Sequence, residues 1–205
     1  MARYTSSFCK LCQRAQNKLI LKGSRCLTAK CALERQKKTA GRRRRRVSDR
    51  GLQLIEKQKA RYIYGILERQ FRQIFDRALR QPGVTGENLK VLLERRLDNV
   101  VYRLGYAESR PQARQLVSHG HIMVNGHKTD IPSSLIKEGD TISWRATSTK
   151  NEYYKQLLET IQSKSLVSWL SLDRENLVGQ VVSLPTPDEA ETNYDEKAIV
   201  EYYSR

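Results

Sequence analysis

All four cysteines of this chain lie within its first 31 residues, as Cys9-x2-Cys12 and Cys26-x4-Cys31 separated by thirteen residues. The same stretch offers only Phe8, Leu11, Leu19, Ile20, Leu21 and Leu27 as larger apolar side chains, too few to close a core. Something other than burial must order it. A Cys-x2-Cys pair lets two thiolates grip one ion and the second pair is slightly looser, so the spacing predicts one structural zinc held by Cys9, Cys12, Cys26 and Cys31. Four thiolates at about 2.3 Å from Zn(II) make a doubly negative site, which Lys10, Arg14, Arg25 and Lys30 are placed to offset. An iron–sulfur cluster takes similar ligands and is the minor alternative. Two disulfides are disfavoured in a reducing compartment. The pattern leaves no open ligand position, so a catalytic metal is not expected.

Charge is the second constraint. The chain carries 38 Lys and Arg against 22 Asp and Glu, a net of +16 over 205 residues. Residues 1–46 hold fifteen basic residues and one acid, Glu34; residues 47–150 hold eighteen and eleven; residues 151–205 hold five and ten. The excess is concentrated in an N-terminal arm and reversed in the last quarter. Such a balance points to a polyanion, most often nucleic acid. The arm closes on Arg42, Arg43, Arg44, Arg45 and Arg46, whose guanidiniums repel one another and need an anion before they can be packed away. No apolar run approaches the roughly 18–20 residues that cross a bilayer, and the start lacks the apolar core of a secretory signal, so a soluble intracellular protein is expected.

Beyond Asp49 and Arg50 the pattern turns helical. Leu52, Ile55, Ile63, Ile66, Leu67, Phe71, Ile74, Phe75 and Leu79 fall largely at three- and four-residue steps, which predicts helix until Pro82 and Gly83. A second stripe runs from Thr85, a plausible N-cap, through Leu89, Leu92, Leu93, Leu97, Val100, Val101 and Leu104 to Gly105. Arg95, Arg96 and Arg103 fall mostly off that stripe, free to reach phosphate. Ser109 to Gln112 reads as a capping box opening a short helix on Ala113, Leu116 and Val117, with Gly120 as its left-handed end. Ile122 to Val124 alternates into Asn125-Gly126, a strong hairpin signal, and Gly139-Asp140 precedes a closing strand from Thr141 to Trp144. His119, His121 and His127 share this segment with no cysteine near and Asp130 as the close carboxylate, so they read as neutral donors or helix-end caps, not metal ligands. Residues 146–165 and 173–193 carry weak signals and predict no topology.

The run Arg96-Leu97-Asp98-Asn99-Val100-Val101-Tyr102-Arg103-Leu104-Gly105, then Ser109-Arg110, Ala113-Arg114, Val117 and Ser118 through Gly126, closely resembles the RNA-binding domain named after small-subunit ribosomal protein S-four. That domain also serves pseudouridine synthases, tyrosyl-tRNA synthetases and a heat-shock protein, so alone it implies only RNA binding. Gly51 to Leu54, Glu56 to Lys59, Ile63 to Gly65, Leu67 to Phe71, the cysteine arm and the ending Ile199 to Arg205 are similar to the S-four ribosomal family itself, so the resemblance spans essentially the whole chain. It implies a primary binder of small-subunit ribosomal RNA that nucleates assembly of the subunit body. It also implies contacts with ribosomal protein S-five, a shared role with S-twelve in translational accuracy, a place near messenger RNA where it enters the subunit, and zinc on the four cysteines. Thr129, where an apolar residue is usual, and the acidic stretch from Thr186 to Asn193 depart from the family pattern.

The expected fold is α+β and mainly helical: a zinc-bound arm over 1–46, a helical domain over 47–95 completed by 165–205, and an inserted helix-hairpin RNA-binding domain over 96–164 with a small antiparallel sheet. Candidate RNA contacts in the arm are Arg3, Lys10, Arg14 and Lys22 together with Arg42 to Arg46, and in the first helical stretch Lys57, Lys59, Arg61, Arg69 and Arg72. In the inserted domain they are Arg96, Arg103, Ser109, Arg110, Arg114, His119, His121, Asn125 and Lys128. Two other functions fit less well. An RNA-modifying enzyme would need a catalytic fold for which too little chain remains, and no phosphate-cradling loop, nucleophile elbow or His-Glu metal motif is present. A zinc-finger DNA binder would place a recognition helix near Glu34 to Lys38 but leave the downstream domain unexplained. Neither a membrane nor a small-molecule substrate is expected as a partner.

Overall fold

Apolar spacing makes the helices, but the breaks between them are set by single residues. In the computed structural model, which describes residues 4–39, 47–191 and 193–204, the chain divides into two compact units, one running to Lys90 and resuming at Glu191, the other spanning Val91–Ala190. The first unit begins with α1 (Phe8–Ala15), a 3-10 turn at Gly23–Leu27 and α2 (Ala32–Thr39), then α3 (Asp49–Ile63) and α4 (Glu68–Leu79). Ser48 opens α3 by accepting the Gly51 N–H at 3.3 Å. The stripe from Leu52 to Leu79, continuous in sequence, is cut at Gly65, whose φ of +62° no helix interior tolerates, and the Ile66 N–H closes the turn on the Arg61 carbonyl at 3.0 Å. Ala60, Ile63, Phe71, Phe75 and Ala78 form the buried face of this pair.

The end of the chain belongs to the same unit. Helix α9 (Glu196–Tyr203) packs along α3, with the Gln53 side-chain amide donating to Glu201 at 2.8 Å. Asp195 caps it by accepting the Lys197 N–H at 2.9 Å, while its own N–H donates to Glu56 at 3.1 Å. Tyr203 lies 4.5 Å from Phe75 between ring centroids, and Ile199 is fully buried.

The second unit holds α6 (Leu97–Arg103), α7 (Arg110–Ser118) and α8 (Glu152–Thr160), reached through α5 (Thr85–Glu94). Thr85, expected as an N-cap, is instead the first helical residue; the Asn88 N–H bonds back to the Val84 carbonyl at 3.0 Å. The stripe from Leu89 to Leu104 also breaks, between α5 and α6. There the Leu97 N–H donates to Ser134 and the Ile136 N–H to Arg95, both at 2.9 Å, so an extended segment competes successfully with the helix for backbone partners. The capping box at Ser109 does not form: the Ser109 side chain makes no cap bond, and Gln112 reaches one residue further back to accept the Glu108 N–H at 3.0 Å.

Five antiparallel strands make one sheet, in the order β2-β1-β3-β5-β4, from β1 (Ile122–Val124), β2 (His127–Lys128), β3 (Thr141–Trp144), β4 (Leu170–Asp173) and β5 (Val178–Val181). Asn125 and Gly126 turn β1 into β2 with φ of 51° and 77°, the two positive values a two-residue hairpin demands. The expected return of residues 165–190 to the helical domain is not what the chain does. Residues 170–181 form a hairpin that extends the sheet, Thr141 pairing with Gln180 and Ile142 with Gly179. A Cβ on Gly179 would stand 2.6 Å from the side-chain methyls of Leu104, at the C-terminal end of α6, so this fully buried leucine would have to shift to admit one. Trp169, Leu170, Leu177 and Val181 thereby join Leu97, Val101, Leu104, Ile122 and Ile142 in one core. Among the described residues no helix is long and apolar enough to cross a membrane.

Candidate nucleic-acid interface

In the arm, Cys9 and Cys12 stand one helical turn apart on α1, Cys26 lies in the 3-10 turn, and Cys31 immediately precedes α2. All four thiols are free, Cys12 and Cys26 buried and Cys9 and Cys31 half-buried. Burial pushes the Cys12 thiol up, a hydrogen bond with the Leu19 backbone works against it, and the neighbouring Cys26, Cys9 and Cys31 add to the rise. Cys12 therefore feels the other three sulfurs, although among the described residues no three His, Cys, Asp or Glu side chains converge as a ligand cluster. Four free thiols gathered in a segment whose burial rests on Leu11, Leu19, Leu21 and Leu33 are a donor set suited to a soft divalent ion. Leu27 and Ile20, counted among the apolar side chains available there, are 69% and 38% exposed and contribute little.

Of the arm's candidate contacts, Lys10 and Arg14 are exposed along α1 and Lys22 is half-buried. Arg3 and Arg42 to Arg46 lie outside the described residues. Lys18 is drawn to Glu34 at 2.5 Å, a hydrogen bond that holds the ammonium pKa above its ordinary value.

In the helical unit, Arg69 and Arg72 are exposed, Arg72 over the Tyr203 ring at 5.9 Å. Lys57, Lys59 and Arg61 are committed within the fold. Lys57 is 4% exposed, donates to Glu68 at 2.7 Å and lies 4.7 Å from the Tyr202 ring, while Lys59 holds Glu56 at 2.5 Å. Arg61 reaches the second Glu68 oxygen at 3.2 Å.

The second unit departs furthest from expectation. Arg96 is 1% exposed, its guanidinium forked onto Asp98 at 3.1 and 2.8 Å, so it is a buried partner and not a free phosphate ligand. Arg103 is likewise forked, at 2.9 Å twice, onto the fully buried Glu94. Arg114 donates to Asp98 at 3.0 Å, and Arg110 donates to the side-chain Oδ1 of Asn99 at 2.8 Å while lying 4.7 Å from the Tyr102 ring. Ser109 is buried. Asn125 spends its side chain on the neighbouring turn, donating to Asp140 at 2.8 Å and accepting from the Thr141 N–H at 2.9 Å. His119 and Lys128 are exposed, and His121 shares a hydrogen bond with Ser148 at 2.9 Å. Burial, reinforced by His119, lowers the His121 pKa, so that ring is neutral near pH 7. The charge spacing did not single out Glu94, Asn99 or Arg145. Arg145 is exposed beside His121, whose carbonyl accepts its N–H at 2.9 Å, and nothing but the strand register brings the two together.

Residues 3–94 match the ribosomal protein S4/S9 N-terminal domain and residues 95–142 match the S4 domain. A small ribosomal subunit protein uS4 from Dehalococcoides mccartyi is 54% identical over 208 residues covering the whole of both chains. The chain belongs to the uS4 family. Proteins of the same description from Pelotomaculum thermopropionicum and Halothermothrix orenii are 52% and 51% identical over the same full span. Within this uS4 family fold, the S4-domain match covers α6, α7, β1, β2 and the start of β3, whereas the α8 helix and the β4–β5 hairpin lie beyond it and complete the same core.

Proposed function

We propose that the chain is a structural, RNA-binding constituent of the small ribosomal subunit in the cytoplasm, acting by shape and backbone contact and not as an enzyme. Its full-length identity of about half with small ribosomal subunit proteins uS4 carries this reading. The net charge of +16 and the exposed bases Lys10, Arg14, Arg69, Arg72, His119 and Lys128 supply the chemistry for phosphate contact. Within it, the chain acts as a primary binder of small-subunit ribosomal RNA that nucleates the subunit body, with Arg3 and Arg42 to Arg46 neutralising phosphates from the arm. A contact with ribosomal protein S-five, support of translational accuracy together with S-five and S-twelve, and proximity to incoming messenger RNA belong to the same proposal.

The four cysteines hold one structural zinc ion. Bound zinc would stabilise the thiolates and tie α1, the 3-10 turn and α2 together; four free thiols in a thinly packed arm support this. Titration of the purified protein against small-subunit ribosomal RNA, with transfer RNA and duplex DNA as competitors across a salt series, tests the function. Preference for ribosomal RNA that survives physiological salt is expected, and equal affinity for every competitor would refute the reading. Metal analysis showing one zinc per chain, and neither iron nor a vacant site, is the result expected for the arm.

A further inference from the structure

Two acidic side chains are buried where the S4-domain unit meets its arginines, and simple charge arithmetic makes them a handicap for a protein that binds RNA. Glu94 is fully buried and accepts hydrogen bonds from the Arg103 guanidinium on both its oxygens and from the Asn99 amide at 2.7 Å. Asp98, 4% exposed, accepts two from Arg96, one from Arg114, and the Asn99 N–H at 3.0 Å. Asn99, 1% exposed, bridges them, its amide on Glu94 and its oxygen receiving Arg110. One connected network thus fixes four guanidiniums drawn from the α5–α6 junction, α6 and α7. Arg96 is sealed inside it, but Arg103 and Arg114 keep 18% and 15% of their side chains open to solvent and Arg110 is half-buried.

A guanidinium presents five donors in a rigid fork, so edges engaged on a carboxylate determine where the remaining N–H groups point. Holding a long side chain in one rotamer before binding removes an entropy cost that a free surface arginine meets on ordering at a phosphate. We propose that Glu94 and Asp98 are positioning residues for RNA binding: they orient Arg103, Arg114 and, through Asn99, Arg110 so that the open faces of the three guanidiniums form one preorganised phosphate-binding row. The inference rests on the RNA-binding reading of this unit and adds that its two buried acids favour binding.

The test opposes charge to orientation. Full-length Asp98→Asn and Glu94→Gln each remove one negative charge, which by electrostatics alone strengthens binding to an RNA polyanion. Affinity for small-subunit ribosomal RNA is expected instead to fall, roughly tenfold for each, with no increase in the salt slope. Asp98→Glu, which keeps the carboxylate, is expected to restore part of the loss. In an Arg114→Gln background, Asp98→Asn is expected to cost clearly less than it does alone, because the residue it orients is gone; a merely structural role would leave the cost undiminished. Unchanged or tighter binding by both acid variants, with their thermal unfolding intact, overturns the proposal. Should Asp98→Asn fail to fold, Arg114→Lys decides: it keeps the charge and loses the fork, and binding as tight as the unmodified protein overturns the proposal. A triple change of Arg103, Arg110 and Arg114 to Gln that binds RNA normally would refute the RNA-binding reading of this surface itself, whereas loss in the triple variant alone would refute only the role of the acids.

Discussion

The arm and the sheet-bearing unit solve the same problem of order with opposite means. Between Tyr4 and Arg35 the arm buries Leu11, Leu19, Leu21 and Leu33 and leaves Leu27 and Ile20 in water. The unit from Val91 to Ala190 joins three helices, a sheet and Trp169 in one continuous apolar core, and several of its arginines are tied down by buried carboxylates. At about 25 cal/mol for each Å² of apolar surface removed from water, the second is stabilised by its own side chains, while the first has too few of them. The contrast shows where charge can be placed. A unit with a closed core can bury ion pairs such as Arg96 with Asp98, because the surrounding packing determines their geometry. An arm without one keeps Lys10 and Arg14 at the surface, available to an external anion.

The strongest way to break the contrast is to take away the zinc proposed for the arm. Chelation, or Cys9→Ser, is expected to release zinc and expose the arm to limited proteolysis while the 91–190 unit stays resistant; an arm as resistant as before would show that its few leucines suffice. Next in size, Leu104→Ala, which empties the contact with Gly179, is expected to destabilise the protein by about 2–5 kcal/mol in denaturant unfolding, against roughly 0.5 kcal/mol or less for the exposed Leu52→Ala. Equal costs would mean that the core is not where stability resides. Asn125→Ala should cost about 1–2 kcal/mol through loss of its bonds to Asp140 and Thr141, yet change RNA affinity little, since its side chain is already engaged. A marked drop in affinity with unchanged stability would return Asn125 to the binding surface.

The smallest expected effect sharpens the helical unit's side. Burial alone would raise the Glu68 carboxyl, but hydrogen bonds from Lys57 and Tyr203, with the charges of Lys57 and Arg61, overcome it and hold the group below its ordinary value. Its contribution is therefore present above the unfolded carboxyl value and is lost as the pH falls through the lower folded one. Glu68→Gln should flatten the acid limb of stability slightly, because the side chain is 44% exposed and solvent screens the interaction. An acid limb identical to that of the unmodified protein would mean that the Lys57–Glu68 pair contributes nothing.

Much of the local structure followed from the sequence through short-range rules. Asn125-Gly126 determined the hairpin because few residues accept two consecutive positive φ values, and Gly105 and Gly120 mark helix ends for the same reason. The apolar steps from Leu89 to Leu104 identified core residues correctly, yet could not show that the helix breaks at Arg95, since the competing partners, Ser134 and Ile136, are forty residues away. Charge told the same partial story. That Arg96, Arg103, Arg110 and Arg114 are basic is a property of the chain, but whether each faces water or a carboxylate depends on which acids the fold brings near. Glu94 and Asp98 acquire that role only when α6 and α7 pack together. The strand pair from Leu170 to Val181 was decided later still: its short strands signal little alone, and it joins the sheet because β3 offers an edge and Gly179 lets Leu104 approach. Periodicity and turn chemistry act over a few residues and are written in the sequence, whereas pairing of edges and charges acts across the chain and exists only in the tertiary structure.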